Sequence, residues 1–299
     1  MTATPPPSPT PPTARAAVGL RRWQAVLRAE VRRTLSVNLW WLLLLPALLV
    51  ALAMSLFGGL ISLLVPAATE TSSIVLLTGM ASALSATAIV GAAFGTLLAA
   101  GEYRHRTITQ AFLTGGRTQV LTAKVIVAAV VAGLYGLLVA LLGPLFGGAV
   151  LGGQQLPGWG QLAGLGAIGI LVCALWGVLG VAIGTLVPNQ AGAVALTVGY
   201  LLVGENVLAG ALRTGDSGIG DPSVFARLTS FLPGNAGDLA LYEAPVSLAG
   251  PGADGRLVLE FLAGVSAPPP GWVSLLVLVA WTAAGVALAA VVGGRRDIT

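Results

Sequence analysis

The chain has 299 residues, of which 56% are hydrophobic and 9% are charged, and its mean hydropathy is +0.91. Values of that kind exclude an ordinary soluble domain and describe a polytopic membrane protein. The net charge of +4 comes from basic residues that flank apolar runs instead of forming one patch, so it points to membrane topology and anionic headgroups and away from nucleic acid.

Residues 1–18 are dominated by Pro, Thr and Ala and lack the apolar core of a signal peptide, which reads as a disordered cytoplasmic tail. Residues 19–37 read as a basic amphipathic helix. Laid out at about 100° per residue, Leu20, Trp23, Leu27, Val31, Thr34 and Leu35 share one arc, while Arg21, Arg22, Arg28, Arg32 and Arg33 take the opposite side. Such a helix lies in the headgroup region with Trp23 as its anchor. It serves either to fix topology or to dock a partner.

Residues 38–299 read as a transmembrane domain. A membrane-crossing helix needs about 20 mostly apolar residues, and six runs qualify: Leu39–Val65, Ile74–Ala100, Val125–Leu151, Gln161–Val187, Ala191–Leu212 and Gly271–Gly293. None alternates as barrel strands do, so the expected fold is all-α with six spans. Gly133 with Gly136 and Gly177 with Gly180 look like close-packing surfaces between such helices. Twelve of the 15 Lys and Arg fall in the N-terminal segment, in the loop after the second span and in the C-terminal tail, which puts both termini in the cytoplasm by the positive-inside rule.

That loop is the densest charged stretch of the chain. Residues 101–124, GEYRHRTITQAFLTGGRTQVLTAK, carry Glu102, Arg104, Arg106, Arg117, Lys124 and the single His, His105, between two runs with no charge at all. A solvated positive loop would satisfy topology, but Glu102–Thr114 also reads as a short helix ended by Gly115-Gly116, with Tyr103, Ile108, Phe112 and Leu113 available to a membrane surface or a partner.

In the fifth span, Glu205 and Asn206 interrupt an apolar helix. An acid in a bilayer costs about 2.5–3.5 kcal/mol near the centre on insertion scales, so Glu205 faces protein or water. It is either a gating or substrate-path group, or a structural carboxyl bonded to Asn206, Tyr200 or a neighbouring helix. The outer region, residues 213–270, is net acidic and holds two short apolar stretches, Val224–Leu232 and Asn235–Leu241, parted by Pro233-Gly234. A pair of short helices there is either a lid over an exit or a surface loop.

The usual catalytic sets are missing from the sequence. One His outside the spans and one Cys, Cys173, within a span leave no intramembrane Ser–His pair and no Cys/His metal cluster. Lys124 is the only Lys, and the residues before it do not fit the phosphate loop G-x-x-x-x-G-K-[ST]. The chain is therefore expected not to be an enzyme and to bind no cofactor.

Taken together, a basic amphipathic helix, six spans and the loop Glu102, Tyr103, Arg104, His105, Thr107, followed by Arg117, Ala123 and Lys124, resemble the membrane subunit of ABC-2 type transporters; members often have Gly where this chain has Arg106. Val187-Pro188-Asn189-Gln190-Ala191, Glu205 and Leu232-Pro233-Gly234-Asn235-Ala236 fit the same resemblance. It implies a permease in the plasma or inner membrane that pairs with a second permease copy or paralogue and with two copies of a cytosolic ATPase. ATP and Mg would be used by that partner, and residues 102–114 would be the coupling helix for export of a drug, lipid or glycolipid. An ion-coupled secondary transporter using Glu205 and a membrane scaffold are the rival readings.

Overall fold

The computed structural model describes residues 12–64, 72–104, 116–151, 156–214, 221–248, 259–260 and 264–295. Among them every regular element is helical. In chain order these are α1 (Pro12–Ser36), α2 (Leu39–Leu64), α3 (Ser72–Arg104), α4 (Arg117–Leu151), α5 (Trp159–Leu186), α6 (Gln190–Leu212), α7 (Val224–Leu228), α8 (Pro233–Ser247) and α9 (Gly271–Arg295). Five of them, α3, α4, α5, α6 and α9, are long and apolar enough to cross a membrane. A sixth span is reached if α1 and α2, which meet at 62°, count as one bent pair. The described residues are thus all-helical in their regular structure and include the apolar helices of a multi-pass membrane protein.

Several boundaries differ from the sequence expectation. The first helix starts at Pro12 and not at residue 19, because proline suits the first helical turn, where its missing N–H costs nothing, and good helix formers follow at Ala14, Ala16 and Ala17. Helix α3 continues through Arg104, so Glu102, Tyr103 and Arg104 extend the second span instead of opening a separate helix. Helix α4 starts at Arg117, eight residues before the predicted Val125, and makes Arg117 and Lys124 helical. His105, Arg106, Thr107 and the remainder of the expected coupling helix lie outside the described residues.

The bundle is organised around α3 and α5, which pack most extensively against each other. Their seam is made of small residues. A Cβ on Gly95 would stand 2.0 Å from the Gly177 carbonyl oxygen, one on Gly180 would stand 2.1 Å from that of Ala92, and one on Gly184 would stand 2.4 Å from that of Thr96. Lipid tails are as apolar as leucine, so membrane helices gain little by hiding apolar area from them; close backbone approach and dispersion hold them together, and only glycine permits it here. Gly136 likewise faces Ile170 and Cys173 of α5, so both expected glycine surfaces are contacts between helices. Leu77, Met80, Leu84, Val172, Cys173 and Trp176 fill the core beside this seam, and Ala236, Ala240, Leu241 and Leu278 of α8 and α9 close it.

Candidate functional site

Three elements meet at the end of the bundle where α4 begins. Arg117 stands in the first turn of α4 and its Nη1 donates to the carbonyls of Gly293 at 3.3 Å and Gly294 at 2.6 Å. Those carbonyls belong to the last turn of α9, where helical acceptors have no partner within the helix and a cation is favoured by the helix dipole. Two turns further along, on the same face of α4, Lys124 Nζ donates to Glu30 Oε1 of α1 at 2.7 Å. The Leu98 carbonyl of α3 lies 3.5 Å from the same nitrogen. Lys124 is 4% exposed and Glu30 7%. Such a pair gains little net energy over two apolar residues, but losing one partner leaves a charge buried without compensation.

Glu30 is the residue of this cluster that the sequence reading passed over. Its signal was present: it is the one acid among the arginines of α1, and it falls at the edge of the stripe formed by Leu27, Val31 and Thr34, where a solvated charge has no reason to be. Of the remaining residues of that helix, Arg21, Arg22, Arg28 and Arg32 are exposed, while Trp23 and Arg33 are half-buried. Val31 and Leu35 stay exposed on the stripe at 39% and 60%, as suits a face turned to lipid.

A second tie runs from α4 to the start of α2. The Tyr135 hydroxyl donates to the Trp40 carbonyl, and the Tyr135 ring meets Phe94 of α3 edge-on with centroids 6.1 Å apart. Helix α4 thus holds α1 through Lys124, α2 through Tyr135 and α9 through Arg117.

Glu205 occupies a separate position. Residues Tyr200–Gly204 form one π-helical turn within α6, and Glu205 follows it, 3% exposed. Its Oε2 accepts the Gly234 N–H at 2.8 Å and its Oε1 the Asn235 N–H at 2.6 Å. Both donors belong to the first turn of α8. The carboxylate therefore caps that helix from another element, a place where orphan N–H groups and the positive end of the dipole favour an anion. Pro233 opens the helix, and Gly234 leaves room for the carboxylate, since a Cβ there would stand 2.5 Å from Oε2. Asn235 Nδ2 donates to the Thr229 carbonyl at 2.9 Å, fixing the turn before the helix. Of the partners expected for Glu205, the neighbouring helix and Tyr200 of its own helix are both found, while Asn206 points outward and donates to Leu202 in its own helix.

From its capped end, α8 lies against α3 through polar pairs one turn apart. Asp238 accepts the Ser85 hydroxyl at 2.5 Å, and the Tyr242 and Ser82 hydroxyls stand 2.9 Å apart. Trp281 of α9 adds a bond from Nε1 to the Phe231 carbonyl at 2.9 Å. The two apolar stretches expected in the outer region are thus α7 and α8, with Pro233-Gly234 beginning the second. Among the described residues no group of three His, Cys, Asp or Glu is placed to hold a metal.

No family model matches this chain, and no curated protein matches it.

Proposed function

We propose that the chain is the transmembrane permease subunit of an ABC-2 type transporter, an ATP-driven exporter of a hydrophobic or amphipathic substrate whose energy comes from two copies of a separate cytosolic ATPase. A second permease copy or a paralogue completes the complex, and both termini lie in the cytoplasm. The observation that supports this reading is the placement of Arg117 and Lys124 at the start of α4, joined to α9 and α1. An ATPase that pushes on residues 102–114 acts just before a helix that is tied to the first and last elements of the bundle. Only contacts that differ between two states can transmit such a push. The rival reading, in which Glu205 couples an ion, draws no support from the geometry, because both its oxygens are engaged by N–H groups of α8.

The test is purification of the tagged chain from its native membrane, beside a variant with Arg104, His105 and Arg106 changed to Ala. A co-purifying ATPase that is lost or uncoupled in the variant is the expected result. Absence of any ATPase from both samples overturns the proposal.

A further inference from the structure

A cavity of about 50 Å³ lies between α3, α5, α6 and α8, one turn along α8 from the Glu205 cap. Ser85, Trp176 and Asp238 are its polar side chains, and Ile89, Val172 and Leu201 line much of the rest. Two of the polar groups have an atom to spare. Asp238 uses Oδ1 to accept the Ser85 hydroxyl, and its Oδ2 has no hydrogen-bond partner among the described residues. Trp176 is 3% exposed, and its indole N–H likewise donates to none of them, unlike that of Trp281. Neither atom is sealed off: among the described residues, the Thr34 hydroxyl is the one closed-off side-chain atom without a partner. The N–H edge of Trp176 faces α8, since a Cβ on Gly237, another wall residue, would stand 3.3 Å from Nε1. A buried indole N–H normally finds an acceptor, so one turned to a cavity beside a carboxylate points to a ligand.

The chemistry of the cavity selects the occupant. Burial pushes the Asp238 carboxyl up to about 6, which leaves it ionised at neutral pH. The charged group that acts on it is Glu205 of α6, of the same sign, while Tyr242 of α8 is neutral and α3 and α5 face it with Ser85 and Trp176, which do not titrate. Water would satisfy the indole N–H but leave that charge uncompensated. A bare metal ion finds too few oxygen ligands against Ile89, Val172 and Leu201. A primary ammonium brings both charge and N–H donors to Oδ2, but it has no acceptor for Trp176; a hydroxyl on the adjoining carbon supplies one. At about 10–15 Å³ for each water-sized group, the cavity takes about three or four: the ammonium, the hydroxyl and the carbons that join them. The wall residues Ile89 and Leu201 are half-buried, which gives an attached hydrocarbon chain an apolar way out.

We propose that this cavity binds the head of an amphipathic amino alcohol, its ammonium donating to Asp238 Oδ2 and its hydroxyl accepting the Trp176 N–H, with the hydrocarbon chain leaving past Ile89 and Leu201. Amines of this class are then what the chain transports. Calling the ligand a substrate rests on the permease reading above; its binding does not.

Native mass spectrometry of the full chain in mild detergent, without ATPase, measures binding of a dodecyl amino alcohol with ammonium and hydroxyl on adjacent carbons; dodecanol and dodecyltrimethylammonium are the comparison probes. One amino alcohol per chain is expected, bound more tightly than either. Asp238→Asn, which keeps an oxygen for Ser85, should weaken it by about tenfold or more, the scale of a hydrogen bond to a charged group, and Trp176→Phe about fivefold. Asn206→Ala, exposed and outside the cavity, should change it less than about twofold. Binding should fade as pH falls through about 6 and Asp238 takes up a proton. The indole N–H resonances of isotope-labelled protein locate the ligand: of the seven tryptophans, the signal missing from Trp176→Phe is the one that should shift. Thermal unfolding without amine shows that each variant folds. Equal affinity for the parent and Asp238→Asn, dodecanol bound as tightly as the amino alcohol, or an unmoved Trp176 signal would overturn the proposal. Intact binding with no co-purifying ATPase overturns only the permease reading.

Discussion

Lys124 and Glu30, 94 residues apart in the chain, meet at 2.7 Å with both side chains shut away from solvent. The contact joins the amphipathic first helix to α4 at the point where α4 leaves the charged loop. Its energetic character is asymmetric, since removing one charge costs far more than removing both.

Lys124→Met is therefore expected to destabilise the protein by about 3–5 kcal/mol, because the Glu30 carboxylate is left buried alone. Adding Glu30→Met should recover most of that loss. Thermal unfolding of the two single variants and the double variant in detergent measures the coupling; additive losses would show that the pair is not the source.

The cap on α8 makes a second prediction. Glu205→Ala removes both acceptors from the Gly234 and Asn235 N–H groups and is expected to cost about 1–3 kcal/mol, the penalty of unmet buried donors. Glu205→Gln keeps one good acceptor and should lie between the parent and Ala. Gly234→Ala, whose Cβ would meet the carboxylate, should resemble Glu205→Ala. Hydrogen exchange at residues 234–238 reads the local effect, and unchanged protection in all three variants would refute the cap.

Two glycines of α5 give a contrast within one helix. Gly164 has nothing within 4 Å of an added Cβ, so Gly164→Ala should be neutral or stabilising by up to about 1 kcal/mol, the helix propensity difference. Gly180→Ala drives a methyl to 2.1 Å from the Ala92 carbonyl oxygen and must part α3 from α5. A clear fall in the melting temperature is expected for the second variant only.

Arg117→Gln should loosen the last turn of α9 by freeing the carbonyls of Gly293 and Gly294, at a cost of about 1–2 kcal/mol for charge-assisted hydrogen bonds. Faster proteolysis or amide exchange near residues 290–295, with α3 and α5 unaffected, is the expected reading. Uniform loosening of the whole bundle would place the role of Arg117 elsewhere.

What could be read from the linear chain was whatever is local. Each span announces itself as a run of about 20 apolar residues because the hydrocarbon thickness sets its length, and the runs at Gln161–Val187 and Ala191–Leu212 match α5 and α6 to within two residues at either end. Pro233-Gly234 likewise marked a helix boundary through its own backbone chemistry. Where a boundary was missed, a local signal had been weighed against the wrong competitor: Pro12 suited a helix start although its composition suggested a tail, and Arg117–Lys124 was helical although its charges suggested a loop.

Partnerships between distant residues were decided only in three dimensions. That Glu205 needed a polar neighbour followed from its place in an apolar helix, but that the neighbour is the first turn of α8, 29 and 30 residues on, depends on how α6 and α8 lie together. Lys124 looked like part of a solvated loop until α1 supplied Glu30. The physical reason is the same in each case: hydropathy and helix propensity act over one or two turns of chain, whereas the approach of two helices depends on shape along a whole seam, as at the glycines between α3 and α5.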